Sequence, residues 1–208
     1  LLAIYACARR NEKHKDCRET ADLCVSRRKK RLQGIVFSCF IAFLLLFLLF
    51  PQKKSFEIDF LDVGQGDGIY LCTGGGTSMF IDGGSTDVKQ VGKYRILPFL
   101  KAKGVSEISY WFVSHTDTDH VSGLKEVLVS GYRVEYLVFA KAVEKEAKTK
   151  ELAELASSHG TKVLYMQAGD TVRSKRAAMR CLYPKASDKA EDVNDLCLVL
   201  QFEEGDIR

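Results

Sequence analysis

The sequence predicts a mixed, layered α/β domain carried behind a membrane-spanning helix. Three observations lead there. A long uncharged apolar run follows a block of basic residues. Beyond it, paired strands come first and strand–helix alternation follows, the pattern of layered α/β domains. A dense cluster of histidine and aspartate then stands where a bulky apolar strand ends.

From Ile35 to Phe50 sixteen residues carry no charge. Counting back to Leu32, the stretch reaches the lower end of the roughly 17–25 residues that a spanning helix needs. A core helix would show a polar face every third or fourth residue, and this run has none. A signal peptide would need a small-residue cleavage site, which Leu49-Phe50-Pro51-Gln52 does not offer. Five consecutive basic residues, Arg27 to Arg31, precede the run. The positive-inside rule puts them in the cytoplasm and everything after Pro51 outside the cell membrane. The expected organisation is a cytoplasmic basic loop over 1–31, a transmembrane helix over 32–51 and an extracytoplasmic domain over 55–208. Leu1 to Ala6, followed by Arg9-Arg10, has the composition of the end of an earlier membrane helix.

The net charge of +4 belongs to the basic loop. Residues 1–34 hold ten Lys/Arg against four Asp/Glu, which leaves 21 basic and 23 acidic residues for the rest. The folded part is therefore slightly acidic, and its bulk charge gives no support for nucleic-acid binding.

The elements follow in order. Phe56 to Phe60 alternates strictly, as a half-buried strand does. Gly64-Gln65-Gly66-Asp67-Gly68 turns the chain into a second strand, Ile69 to Thr73, and Gly74-Gly75-Gly76 makes a hairpin into Ser78 to Ile81. Asp82-Gly83-Gly84 reads most simply as a turn. Ile96 to Lys103 is a helix with Gly104 as its C-cap, and Ser109 to Val113 is a central strand. Gly123 to Val129 is a short helix, Val134 to Phe139 a strand, and Glu144 to Ser158 a surface helix with Glu144–Lys148 and Glu146–Lys150 at i,i+4 spacing. Lys162–Met166, Met179–Tyr183 and Leu196–Phe202 complete the strands.

Two of the four histidines fall in the window His115-Thr116-Asp117-Thr118-Asp119-His120, with two aspartates. In an extended stretch alternate side chains point the same way, so His115 and Asp117 can share one metal. Asp119 and His120 diverge and address a second, and two such ions hold a bridging hydroxide and clamp a phosphate or carbonyl oxygen. The set lacks thiolate, which shifts preference toward manganese or magnesium and leaves zinc open. Ser114 and the threonines are candidate outer partners, and Gly123 lets the following helix pack close. The competing reading is a polar loop in which Asp119 caps a helix; it does not explain two histidines and a second aspartate in one turn.

The remaining features are quieter. The seven cysteines form no C-x-x-C pair, which argues against a zinc ribbon or a thioredoxin-like site. Buried free thiols are expected rather than a Cys181–Cys197 disulfide. His14 and His159 are structural. Arg173, Lys175, Arg176 and Arg180 form a solvated face or a basic edge for nucleic acid. The glycine runs meet no helix N-terminus, so no nucleotide cofactor is expected.

Several motifs in order resemble the ComEC-type competence proteins: Leu61-Asp62-Val63-Gly64-Gln65-Gly66-Asp67, Ile81-Asp82-Gly83-Gly84, Leu97-Pro98-Phe99-Leu100, Ser114 to His120 with Gly123, and Asn194-Asp195-Leu196-Cys197-Leu198-Val199-Leu200. The resemblance implies a metallo-β-lactamase αββα sandwich behind a polytopic membrane region that passes single-stranded DNA inward during natural transformation. It implies a metal-dependent nuclease that degrades the non-transported strand, two divalent ions (manganese or zinc, with magnesium open), and other competence proteins as partners. Carried over, His115 and Asp117 bind the first metal, Asp119 and His120 the second, and Asp119 also orients the attacking water as the catalytic residue. Gln65 and Asp67 line the rim. The family's later ligands, an aspartate in a Thr-Gly-Asp turn and histidines beyond it, are expected after the strand that follows Asp206. The sequence given therefore reads as a fragment, incomplete at the C-terminus of the sandwich, with about half of a dinuclear site. The alternatives are a non-catalytic DNA-binding or gating module, and a metallo-hydrolase acting on another substrate.

Overall fold

A computed structural model of the chain describes residues 28–47, 55–175 and 177–206. Most of the expected basic loop, Pro51 and Arg176 lie outside the described residues. By internal contacts the chain divides into two units, Leu1–Gln52 and Lys53–Arg208. In the first, helix α1 (Arg28–Phe47) is 20 residues long and apolar enough to cross a membrane. Its described part takes in Arg28 to Arg31 of the basic run, which are good helix formers and extend the apolar segment.

The second unit holds two sheets. Strands β1 (Glu57–Phe60), β2 (Gly68–Cys72), β3 (Ser78–Asp82), β4 (Glu107–Phe112), β5 (Arg133–Ala140) and β6 (Lys162–Met166) form one sheet in sequence order. β1 to β3 are antiparallel, and β3 to β6 are parallel. Parallel neighbours need crossovers. The π-turn Gly92–Ile96 with α2 (Leu97–Ala102), then α3 (Thr118–Val129) and α4 (Ala147–Ser158), supply them. Strands β7 (Thr171–Ser174), β8 (Ala177–Tyr183) and β9 (Val199–Glu204) form a second, antiparallel sheet. The sequence reading lacks β7, whose four residues Thr-Val-Arg-Ser are too short to show a period.

Side-chain alternation along the strands builds two cores. Tyr70, Phe80, Trp111 and Leu137 face the helices, where they pack with Leu100, Leu124 and Leu152. Leu71, Met79, Phe112 and Val138 face the second sheet and meet Met179, Cys181 and Leu198. The described layers are thus helices, first sheet, second sheet. Cys72, Cys181 and Cys197 are free thiols.

Three local expectations change. In β1 the apolar residues Ile58 and Phe60 are exposed while Glu57 and Asp59 are partly covered; Lys103, just past the end of α2, pairs with both carboxylates on that face. Glu144 caps the 3-10 turn Lys141–Val143 and precedes the helix, and it pairs with Lys141. Lys148, freed of Glu144, reaches across to Asp117. Finally, α3 starts at Thr118, five residues before the sequence reading placed it.

Candidate metal centre

That early start of α3 shapes the site. Ser114 to Asp117 connect β4 to α3, Asp117 is extended at the N-cap with φ −76° and ψ 157°, and Asp119 and His120 ride on the first helical turn. The bend brings His115, Asp119 and His120 together, with one ligand atom from each within 4.8 Å of the others. A second group, Asp67, Asp82 and His120, meets the same limit. His120 is common to both.

Asp82 is the residue that the sequence reading missed. It ends β3 with φ 57°, a left-handed conformation that aspartate tolerates better than most residues. Its carboxylate is buried and accepts from Ser114 N–H at 2.8 Å and Ser114 Oγ at 2.7 Å. His120 Nδ1 lies 3.0 Å from its Oδ2. Its own carbonyl accepts from Trp111 Nε1 at 2.6 Å. A carboxylate on one imidazole nitrogen fixes ring and tautomer and leaves the other nitrogen for a metal. That other nitrogen, His120 Nε2, faces Asp119 Oδ2 at 3.7 Å and Asp67 Oδ2 at 3.8 Å.

Electrostatics match a cation site. Burial and the neighbouring His120 push the His115 imidazole pKa down, keeping it in the neutral form that binds metal. At His120 burial acts downward, but the hydrogen bond and charge of Asp82, helped by Asp119 and Asp67, raise the net value. The two imidazole centroids are 3.7 Å apart. A neutral His115, a His120 braced by Asp82 whose Nε2 proton a cation would displace, and carboxylates this close form a donor set that fits a divalent ion.

Backbone packing holds the three loops in register. Asp67 N–H donates to Asp119 O at 3.2 Å, and Gly84 N–H to Asp67 O at 3.1 Å. A Cβ on Gly84 would collide with the backbone of Asp119 and His120, and one on Gly66 with the carbonyls of Gly84 and Asp119. Gly123 is equally close to the Gly83 carbonyl, so α3 approaches the end of β3 as the glycine predicts. Gln65 is exposed, and its N–H donates to Asp87 Oδ1 at 2.7 Å.

Asp117 stands apart from both groups. Its Oδ1 accepts from Lys148 Nζ at 2.8 Å, and Lys148, with a smaller contribution from the Asn194 side chain, holds its carboxyl below the usual range. Thr116 and Thr118 face a cavity toward α4, and only Ser114 takes the outer-partner role. Asn194 lies in the 3-10 turn Val193–Leu196 rather than leading a strand, and Leu198 N–H bonds Ser114 O at 3.1 Å, tying the second sheet to the motif.

No family model matches the chain. ComE operon protein 3 of Bacillus subtilis is 28% identical over 199 residues, which is 88% of this chain and 25% of that protein. Recombination protein 2 of Haemophilus influenzae is 31% identical over 106 residues, half of this chain and 13% of that protein. These matches support a ComEC-type domain of the metallo-β-lactamase fold. The chain spans a quarter or less of the curated relatives it matches. Among solved structures, a metallo-β-lactamase-fold protein from Bacillus subtilis has a TM-score of 0.47 at 15% identity, covering 68% of this chain and 52% of its own. A diiron β-hydroxylase from Streptomyces venezuelae has 0.45 at 15% identity, covering 74% and 28%. With α1, the sequence matches suggest a membrane protein.

Proposed function

We propose that the ComEC-type domain is the metal-dependent hydrolase, a nuclease or phosphodiesterase, of a membrane DNA-uptake protein, facing the extracytoplasmic side after residue 51. The observation that carries this reading is the His115–Asp119–His120 group, braced through His120 by the buried carboxylate of Asp82. His115, Asp119 and His120 would hold a divalent ion, manganese or zinc, with Asp67 beside them. Asp117 joins the set once it leaves Lys148. Such an ion supplies a hydroxide nucleophile at neutral pH and charge stabilisation for a phosphoryl oxygen. The protein's own part is to keep His115 neutral, to fix His120 through Asp82, and to place Asp119 where its carboxylate can orient a water. Partners in this reading are the DNA strand to be degraded, the membrane and other competence proteins.

The test is cleavage of single-stranded DNA by the purified protein with manganese or zinc. The wild type is expected to cut, and Asp119→Ala to stop cutting with its melting temperature and circular dichroism preserved. Full activity in Asp119→Ala contradicts the reading. Salt-sensitive DNA binding with no cutting by the wild type would replace the enzyme with a binding or gating module.

A further inference from the structure

Beside the metal motif lies a cavity of about 250 Å3. Its walls come from two facing helices. On α3, Thr118, Ser122 and Lys125 stand at the i, i+4, i+7 spacing of one helical face. On α4, Lys148 and Glu151 stand at i, i+3. Thr116, between His115 and Asp117, closes the end toward the motif. The floor is apolar, from the buried Val121 and Leu152. The cavity falls below the roughly 300–1,000 Å3 of small-molecule pockets, so it suits one chemical group rather than a whole cofactor.

We propose that this cavity is a subsite for a backbone phosphate of a nucleic-acid strand, flanking the phosphate presented at the His115–Asp119–His120 group. The inference rests on the nuclease reading and deepens it. Two ammonium groups and the hydroxyls of Thr116 and Thr118 converge there, the donor types that contact phosphate oxygens, while Ser122 Oγ donates to Ser85 O at 3.2 Å and only shapes the wall. The N-terminal end of α3, with its positive dipole, opens into the same space at Thr118. No aromatic side chain lines the cavity, so it offers no platform for stacking a base. That leaves the sugar–phosphate backbone as the part of the strand it recognises, and recognition is independent of sequence.

Both lysines already have carboxylate partners. Lys125 Nζ is 3.2 Å from Glu151 and Lys148 Nζ is 2.8 Å from Asp117. The lysine side chains are 42% and 69% exposed. Exposed ion pairs are weak and easily exchanged, so a doubly contacted phosphate can displace them. The Lys148 pair also links the subsite to the motif, since an Asp117 that turns to a cation leaves Lys148 free for phosphate.

The experiment is the salt dependence of binding. A fluorescent single-stranded oligonucleotide with a cleavage-resistant phosphorothioate backbone is titrated with the full chain in detergent, with manganese present. Each phosphate contact contributes about 0.7 to the slope of log K against log salt for single strands. Lys125→Gln is expected to lower the slope by about 0.7, and Lys125→Gln with Lys148→Gln by about 1.4. The double arginine variant keeps the wild-type slope. Lys150→Gln, on α4 but lining a different surface cavity, leaves the slope unchanged. Wild-type binding with an unchanged slope in the double glutamine variant overturns the subsite and leaves the nuclease reading standing. An equal fall in Lys150→Gln overturns it as well, by showing a diffuse field. A wild type that binds no strand overturns both.

Discussion

The two ends of the metal motif are built differently. At one end His120 and Ser114 are tied to Asp82, which is 5% exposed and ends a central strand. At the other, Asp117 is tied to Lys148 by a single pair whose side chains are 39% and 69% exposed. The first arrangement is made by folding and cannot be undone without stranding buried donors. The second is held by solvated charges that exchange at little cost. The motif therefore combines a fixed half with an exchangeable half; in the proposed metal site the first would set the position of the ion and the second would change partners when ion or substrate arrives.

The strongest way to break that contrast is at Asp82. Asp82→Ala leaves Ser114 N–H, Ser114 Oγ and His120 Nδ1 without their acceptor, at a cost of about 3 kcal/mol. It is also expected to weaken divalent-ion binding by about 10–100-fold, the usual effect of losing a carboxylate behind a ligand histidine. Denaturant unfolding and metal titration check the two effects. A variant as stable as the wild type would show that the buried bonds do not fix this end.

The next effect is steric. Gly84→Ala pushes a methyl into the backbone of Asp119 and His120, and such overpacking costs about 1–3 kcal/mol. The same substitution at Gly104, where an added Cβ meets nothing within 4 Å, lacks that clash and carries only the strain of φ +64°. Gly84→Ala is thus expected to lose more metal affinity than Gly104→Ala, and equal losses would contradict the close-packed cradle. The smallest effect is at the adjustable end. Lys148→Gln should leave the melting temperature unchanged within error, because its partner is solvated. A clear drop in thermal melting would mean that this pair is structural after all.

Much of this was legible in the sequence, for physical reasons that differ between residues. The grouping of His115, Asp119 and His120 was readable because the chain supplies side chains of metal-ligand type within one turn, and the structure brings them together. The strands of the first sheet were readable because each buries one face or both, and periodicity reports burial. Asp82 was hidden because its role is tertiary: an aspartate before two glycines looks like any turn until β3 and β4 are laid side by side in parallel. A carboxylate at the end of a central strand, one strand away from a histidine cluster, was the available signal. The Lys148–Asp117 pair was hidden in the same way, since local spacing offered Glu144 as the partner and only the packing of α4 against α3 removes it. The covered face of β1 was not legible because alternation alone does not say which face is covered; in the structure it is the acidic face, which meets Lys103.

The most direct test of the central claim is a calorimetric titration of manganese and zinc into the wild-type protein, His115→Ala and Asp119→Ala. The account predicts saturable binding by the wild type, with a stabilisation of about 2.7 kcal/mol once the ion reaches 100 times its dissociation constant. It predicts at least a tenfold loss of affinity in each variant, with the fold retained. Variants that bind the ion as tightly as the wild type would contradict it and place any metal elsewhere on the molecule.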